Sequence, residues 1–173
     1  AKLAASILPG EMPMAGQALS EAANFLLEAA GHREHGKPAI LIRSASDNAS
    51  DARRITRIAV VNRDVPFLVD SISRAIAAHG LAVDLLVHPI LPVVRDTQRQ
   101  LADLPDGDGA ADPASGAIRE SFIYIETDRI DARQRRALEA ELVTTIADVR
   151  AAVADWPEMV AMIRADAQTL TDP

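Results

Sequence analysis

Hydrophobic positions along this chain follow two periods, and the switch between them is sharpest from Ile58 to Asp96. A β-type run, Ile58-Ala59-Val60-Val61, ends at Asn62, after which apolar residues at Val65, Leu68, Ile72 and Ile76 keep to one face of a helix. Asp64 stands where an N-cap accepts from the first free N–H groups. Pro66 falls in the first turn, where a missing donor costs nothing. His79-Gly80 reads as a last helical residue followed by a left-handed stop. A second β run from Leu81 to Val87 follows at once, which makes a strand–turn–helix–strand unit.

Outward from that unit, residues 1–14 contain Pro9, Gly10 and Pro13, lack a period, and read as a loose arm. Leu19, Ala22, Ala23, Leu26 and Ala30 support a helix from Gln17 to Ala30. Lys37 to Ser44 reads as a strand. The Ser/Asp/Asn-rich segment after it makes that strand a hairpin partner of Ile55–Asn62. Beyond Val87, Pro89 and Pro92 confine His88 to Asp96 to an edge, a bulge or a bent continuation. Residues 97–118, rich in Asp, Gly, Ala and Pro, read as a mobile connection. Glu120 to Thr127 alternates as a strand. Asp131 then caps a long helix, with Gln134 at the reciprocal capping position. Its buried stripe is Leu138, Leu142, Ile146, Val149 and Val153. Trp156-Pro157 is expected to break it, and a last helix carries Met159, Ile163 and Leu170. No internal repeat is present at solenoid periods.

The order points to an α+β fold of ferredoxin-like, ACT-type architecture: a four-stranded antiparallel sheet with two helices on one face, plus flanking N- and C-terminal helices. The scheme wants a strand antiparallel to Ile55–Asn62 after the second helix, and the Lys37–Ser44 strand takes that place. Both sheet faces are apolar, since Ile123 and Ile125 alternate with Phe122 and Tyr124. Something therefore covers the second face: the terminal helices, a twin subunit, or more of a longer chain.

Composition narrows the function. A net charge of −7 with no basic cluster argues against a nucleic-acid surface. Arg133, Arg135 and Arg136 alternate with Glu139 and Glu141 as a solvated helix face. The absence of cysteine removes disulfides, thiolate metal sites and cysteine nucleophiles, and suits a cytoplasmic protein. No apolar run is long enough to span a bilayer, and no signal peptide is visible. A start at Ala1 suggests a processed or excised piece.

Candidate metal and catalytic groupings are weak. Glu28, His32 and His35 have a metal-like spacing, but a frayed, solvated helix end explains them as well. The Asp106-Gly107-Asp108-Gly109 tract lacks the glutamate that a calcium loop requires at its twelfth position. Residue types alone permit a triad of His88, Asp70 and Ser71, yet nothing orients it and no nucleophile elbow is present. Asp70 and Ser71 suit the start of a helix without a functional role. Phe67 reads as a packing anchor, His88 as a hydrogen-bonded core or edge histidine, and Arg95-Asp96 as a local ion pair at a strand end.

Three blocks carry a family resemblance: Asp64-Val65-Pro66-Phe67-Leu68-Val69-Asp70-Ser71; His88-Pro89-Ile90-Leu91 with Arg95-Asp96; and Glu120-Ser121-Phe122-Ile123-Tyr124-Ile125-Glu126. Together with Gly36-Lys37-Pro38-Ala39-Ile40-Leu41-Ile42, they resemble the N-terminal region of the large bacterial NAD-specific glutamate dehydrogenases. The likeness runs over roughly residues 20–155. It implies an ACT-type domain of an enzyme that oxidatively deaminates L-glutamate to 2-oxoglutarate and ammonium. The family's catalytic lysines and nucleotide loop lie far downstream. Here Lys occurs only at positions 2 and 37, and no Gly-x-Gly-x-x-Gly is present. The resemblance thus implies a stretch without catalytic residues or cofactor of its own, NAD belonging to the parent enzyme.

ACT domains bind small effectors, often amino acids, where the first strand turns into the first helix, commonly at a subunit interface. Their usual turn is Asp-x-Pro-Gly-x-Leu, and Phe67 stands here in place of that Gly, with a ring able to fill or cover the site. The resemblance therefore marks Asp64, Val65, Pro66, Phe67, Leu68, His88 and Arg95 as effector-binding or interface residues. It implies as partners the rest of the parent chain, further copies of this chain and an amino-acid effector, with neither nucleic acid nor membrane. The expected division is an arm and helix over 1–36, an ACT-like domain over 37–154, and a C-terminal helix over 155–173 that leads into a longer enzyme. The reading set beside it is a free-standing amino-acid-binding ACT-type regulatory domain. A small independent hydrolase lacks its constellation.

Overall fold

A computed structural model describes residues 16–46, 54–105 and 116–171. The two alternating apolar runs at its centre form long antiparallel strands. β2 (Arg54–Arg63) pairs with β6 (Ile118–Asp128) from Ile55 opposite Asp128 to Arg63 opposite Glu120. On the outer side of β2 lies β1 (Ala39–Ser46), the expected hairpin partner, in antiparallel register. On the other side of β6 come β3 (Val83–Val87) and then β4 (Ile90–Arg95), one after the other along the same strand. His88 and Pro89 interrupt them, and the Phe122 amide donates to the Pro89 carbonyl across the gap. A short β5 (Leu101–Asp103) pairs with β4. The antiparallel α+β architecture is as expected. The strand count is not, because the sheet has six strands rather than four.

Period-two alternation sorts these strands onto two cores. Ile58, Val60, Leu86, Ile123 and Ile125 face α2 (Leu68–Ala78) and α3 (Ala132–Thr171), whose Leu68, Ile72, Ile76, Leu138, Leu142 and Ile146 close over them. Ala59, Val61, Val87, Val93, Phe122 and Tyr124 face the other way, onto α1 (Gly16–Ala30) through Ala22, Phe25, Leu26 and Ala29. Two helices thus cover one face, and the first helix covers the second. Phe25 meets the Tyr124 ring edge to face at 6.2 Å. The Tyr124 hydroxyl donates to Glu126 at 2.5 Å, so burial and that carboxylate push the phenol far above its usual range.

Helix ends follow their caps only in part. α3 starts as expected: Asp131 Oδ1 accepts from the amides of Arg133 and Gln134, while Gln134 Oε1 accepts from the Asp131 amide. α2 stops as expected, with His79 and Gly80 amides bonded back to Ile76 and Ala77 and Gly80 at φ +72°. The expected break at Trp156-Pro157 is overturned, for α3 is one helix of 40 residues. A proline inside a helix removes one hydrogen bond and tends to bend the axis, and a helix this long can carry that loss. The first part of the 97–118 connection, up to Asp103, is built into a turn and a strand. Asp96 Oδ1 accepts from the amides of Gln98 and Gln100, and this turn starts β5. The Asp106–Gly109 tract lies outside the described residues.

One ionic cluster ties these parts together. Glu120, fully buried near the start of β6, receives Arg95 as a two-bonded fork at 2.8 and 2.7 Å. Arg33, from the α1–β1 loop, places Nε and Nη2 on Glu120 Oε1 at 2.9 and 2.7 Å. Spare guanidinium protons reach the carbonyls of Lys37, Ala30 and Arg99. Burial pushes the Glu120 carboxyl up, but the two arginines outweigh it and hold it below its ordinary 4.5.

Removing that carboxylate strands two guanidinium groups inside the protein. Glu120→Gln is expected to cost about 3–5 kcal/mol in urea unfolding. The folded pKa lies below the unfolded one, so the stabilisation is present above pH 4.5 and is lost as pH falls through the folded value. The wild-type urea midpoint should therefore decline on acidification from pH 4.5 downward, more steeply than that of the variant.

Candidate functional site

The turn between β2 and α2 is shaped by one backbone torsion. Phe67 adopts φ 65°, ψ 2°, the left-handed region that costs a residue with a Cβ about 1 kcal/mol or more. That rotation delays the helix, which begins at Leu68 with Phe67 in the cap position and no side-chain cap. Asp64 is therefore not the N-cap, being too far back along the chain to reach the first free amides. Its carboxylate instead crosses to β6, where Oδ1 accepts from the Ser121 hydroxyl at 2.9 Å and Oδ2 pairs with Arg119 at 3.2 Å. The Asp64 amide donates to the Arg119 carbonyl, which closes the turn onto the sheet. Pro66 likewise precedes the helix instead of lying in its first turn.

Phe67 is not a packing anchor either, for it is 71 % exposed. The left-handed turn swings its Cβ away from the core, while Leu68 goes in and Val65 and Val69 rest at the core's edge. The ring stands between two cavities. One, about 220 Å³, is walled by residues 65–70 and His88. The other, about 470 Å³ and mainly apolar, lies between the turn and α3, with Val149, Val153 and Trp156 on its far wall.

His88 sits beside the turn at the interruption between β3 and β4. Burial pulls its imidazole below the ordinary 6.5, with the Asp64 charge opposing, so the ring is neutral at pH 7. Nε2 is buried without a hydrogen-bond partner, as is Oδ1 of Asn62. Asn62 lies on β2 opposite Ser121, and His88 in the gap between β3 and β4 on the other side of β6, so the two flank the Asp64–Ser121 bond. The expected hydrogen-bonded histidine is thus half satisfied at most. A neutral ring nitrogen, an amide carbonyl and a carboxylate gather near the start of an 11-residue helix. These groups can accept from an ammonium, while the helix end favours a carboxylate.

Five of the seven residues singled out in the sequence wall the smaller cavity, namely Val65, Pro66, Phe67, Leu68 and His88, and Asp64 precedes them with its carboxylate turned to β6. Arg95 takes no part: both edges of its guanidinium are spent on Glu120, Ala30 and Arg99. It forms no local pair with Asp96, whose carboxylate holds its own turn. Ser121 and Asn62 are further polar members of the region that no motif marks in the sequence. Their signal is polarity at inward-facing positions of otherwise apolar strands. Among the described residues, no group of three or more His, Asp or Glu is arranged to hold a metal, and no helix is long and apolar enough to cross a membrane.

This fold and turn fit an ACT domain. The family model for the glutamate dehydrogenase ACT1 domain matches residues 12–142, and the chain belongs to that family. Among individual proteins it is similar to the NAD-specific glutamate dehydrogenase of Halomonas elongata, with 34 % identity over 116 residues, 66 % of this chain. The NAD-specific glutamate dehydrogenase of Pseudomonas aeruginosa is 34 % identical over 111 residues, 63 % of this chain. The matched stretch is 7 % of the length of each relative. No solved structure matches.

The Phe67 backbone is open to direct test. Phe67→Gly is expected to raise stability by up to about 1 kcal/mol, the relieved strain being partly offset by glycine's unfolded-state entropy. Phe67→Val, β-branched in the same conformation, should lower it by at least 1 kcal/mol or so. Urea midpoints moving in the same direction for both variants would refute this account of the turn.

Proposed function

We propose that this chain is the non-catalytic N-terminal regulatory and assembly domain of an NAD-dependent glutamate dehydrogenase. The parent enzyme would oxidatively deaminate L-glutamate to 2-oxoglutarate and ammonium in the cytoplasm, with NAD bound elsewhere in its chain. Counting β3 and β4 as one strand interrupted at His88-Pro89, the sheet is the four-stranded ferredoxin-like core of an ACT domain with β5 appended. The domain itself would run over 37–154. Its partners are the rest of the parent chain, further copies of the domain, and an amino acid as effector.

The observation that carries the regulatory reading is the cavity at the β2–α2 turn, walled by residues 65–70 and His88, with an unpartnered buried nitrogen at its edge. An amino-acid effector supplies both kinds of group the site lacks. Its carboxylate suits the start of α2, and its ammonium suits the acceptors around Asp64. The left-handed turn keeps the backbone path that a glycine would take in the usual ACT turn, and the exposed Phe67 ring leaves the cavity open beside it.

Calorimetric titration of this chain with a panel of amino acids should give saturable binding for at least one. His88→Ala or Asp64→Ala should weaken it roughly tenfold or more, the loss expected for one charge-assisted hydrogen bond. No turnover of glutamate with NAD is expected from this stretch alone. A panel without any heat of binding, beside a folded wild-type spectrum, would remove the sensing role and leave assembly.

A further inference from the structure

The apolar stripe of α3 continues well past the sheet that buries its first half. Leu138, Leu142 and Ile146 are fully buried, whereas Trp156 and Ile163 are 62 % and 64 % exposed, with Met159 and Met162 beside them at 49 % and 61 %. Ile146, Val149, Val153, Trp156, Val160 and Ile163 are separated by three and four residues in strict alternation. That averages about 3.5 residues, the spacing of a seam that packs against another helix. Its alternate members Ile146, Val153 and Val160 are β-branched, as one position of a two-helix seam prefers. Near its base the stripe opens into the 470 Å³ cleft whose other wall is Phe67 and Pro66, room enough for large side chains from a partner.

Charges beside the seam discriminate between partners. Arg150 and Arg164 each follow a seam residue by four and occupy the same flank, and among the described residues neither has an ion-pair partner. Asp155 and Glu158 lie on the outer side of the helix. A second copy laid antiparallel with Trp156 stacked on Val160 sets Arg150 against the other copy's Arg164, and with Trp156 stacked on Val153 it sets Arg150 against position 157, which carries no charge. A parallel pair sets Arg150 against Thr145 and Arg164 against Met159. None of these arrangements provides a carboxylate, and the first is repulsive.

We propose that this face docks an amphipathic helix whose apolar seam is flanked by Asp or Glu, contributed by the remainder of a glutamate dehydrogenase polypeptide. The stretch matched here is 7 % of the length of its relatives, so such a polypeptide offers ample chain to supply that helix. Phe67 and Trp156 form the pocket for its leading apolar side chain, and Arg150 and Arg164 set its register. The proposal rests on the family assignment and not on effector binding, so a silent amino-acid titration leaves it standing.

Hydrogen–deuterium exchange, read peptide by peptide, tests it on the full-length enzyme carrying this stretch and on the 173-residue chain. Amides over 149–163 should exchange at least about tenfold more slowly in the long polypeptide. The double substitution R150E/R164E, and separately Trp156→Ala, should return them to the rate of the short chain. Amides over 138–146 should keep their protection and report that the fold is intact. Equal rates in the two chains would overturn the proposal. So would protection in the short chain that grows with its concentration, because a second copy would then be the occupant. Protection that survives the charge reversal would eliminate an acidic-flanked helix.

Discussion

A single buried carboxylate constrains most of this architecture. Glu120 lies on the α1 side of β6, fully buried and in phase with the buried rings of Phe122 and Tyr124. Left alone there it would cost several kcal/mol, and its ionised form is kept only because two guanidinium groups converge on it. Those two arrive from opposite directions, Arg33 from the loop that leads out of α1 and Arg95 from the end of β4. The cluster carries a net positive charge, dispersed over three backbone carbonyls. Satisfying it requires the first helix, its loop, β4 and the β5 turn to be in place at once. Hydrophobic burial supplies the bulk of the stability, but that contact specifies which loop goes where.

The strands and the ends of α2 and α3 were legible because local and global preferences coincide there. Alternating runs at Ile58–Val61 and Phe122–Ile125 placed both cores correctly, and Gly80 and the Asp131–Gln134 box marked true helix ends. Long-range polar pairing was not legible. The adjacency of Arg95 and Asp96 suggests a local pair, whereas the partner of Arg95 lies 25 residues on, and Arg33 reaches 87 residues to the same carboxylate. The one available signal was Glu120 itself, a charge in step with inward-facing aromatics. Asp64 and Pro157 failed for a related reason. Each is a strong local cue, and each was outweighed, by the left-handed residue at 67 in one case and by the length of α3 in the other.

That left-handed residue also organises the candidate site. Phe67 lines both a small, partly polar chamber beside His88 and a larger apolar one against α3. Occupancy of either chamber bears on the same turn, so an effector on one side and a docked helix on the other would be coupled through a two-residue backbone segment.

The place of β6 in the sheet has a consequence for how the chain must come together in time. β6 is the last strand made, yet it lies at the centre, between β2 on one side and β3 and β4 on the other. During synthesis the β1–β2 hairpin and the β4–β5 hairpin can form early, but each presents an unfilled inner edge until residue 128 has emerged. The β2–β6 pairing then closes over some 57 to 73 residues between partners, as the paired numbers 120 with 63 and 128 with 55 require. Contacts of that separation form late and slowly. The nascent chain therefore passes through an interval in which two half-sheets, apolar on both faces, wait for the strand that joins them.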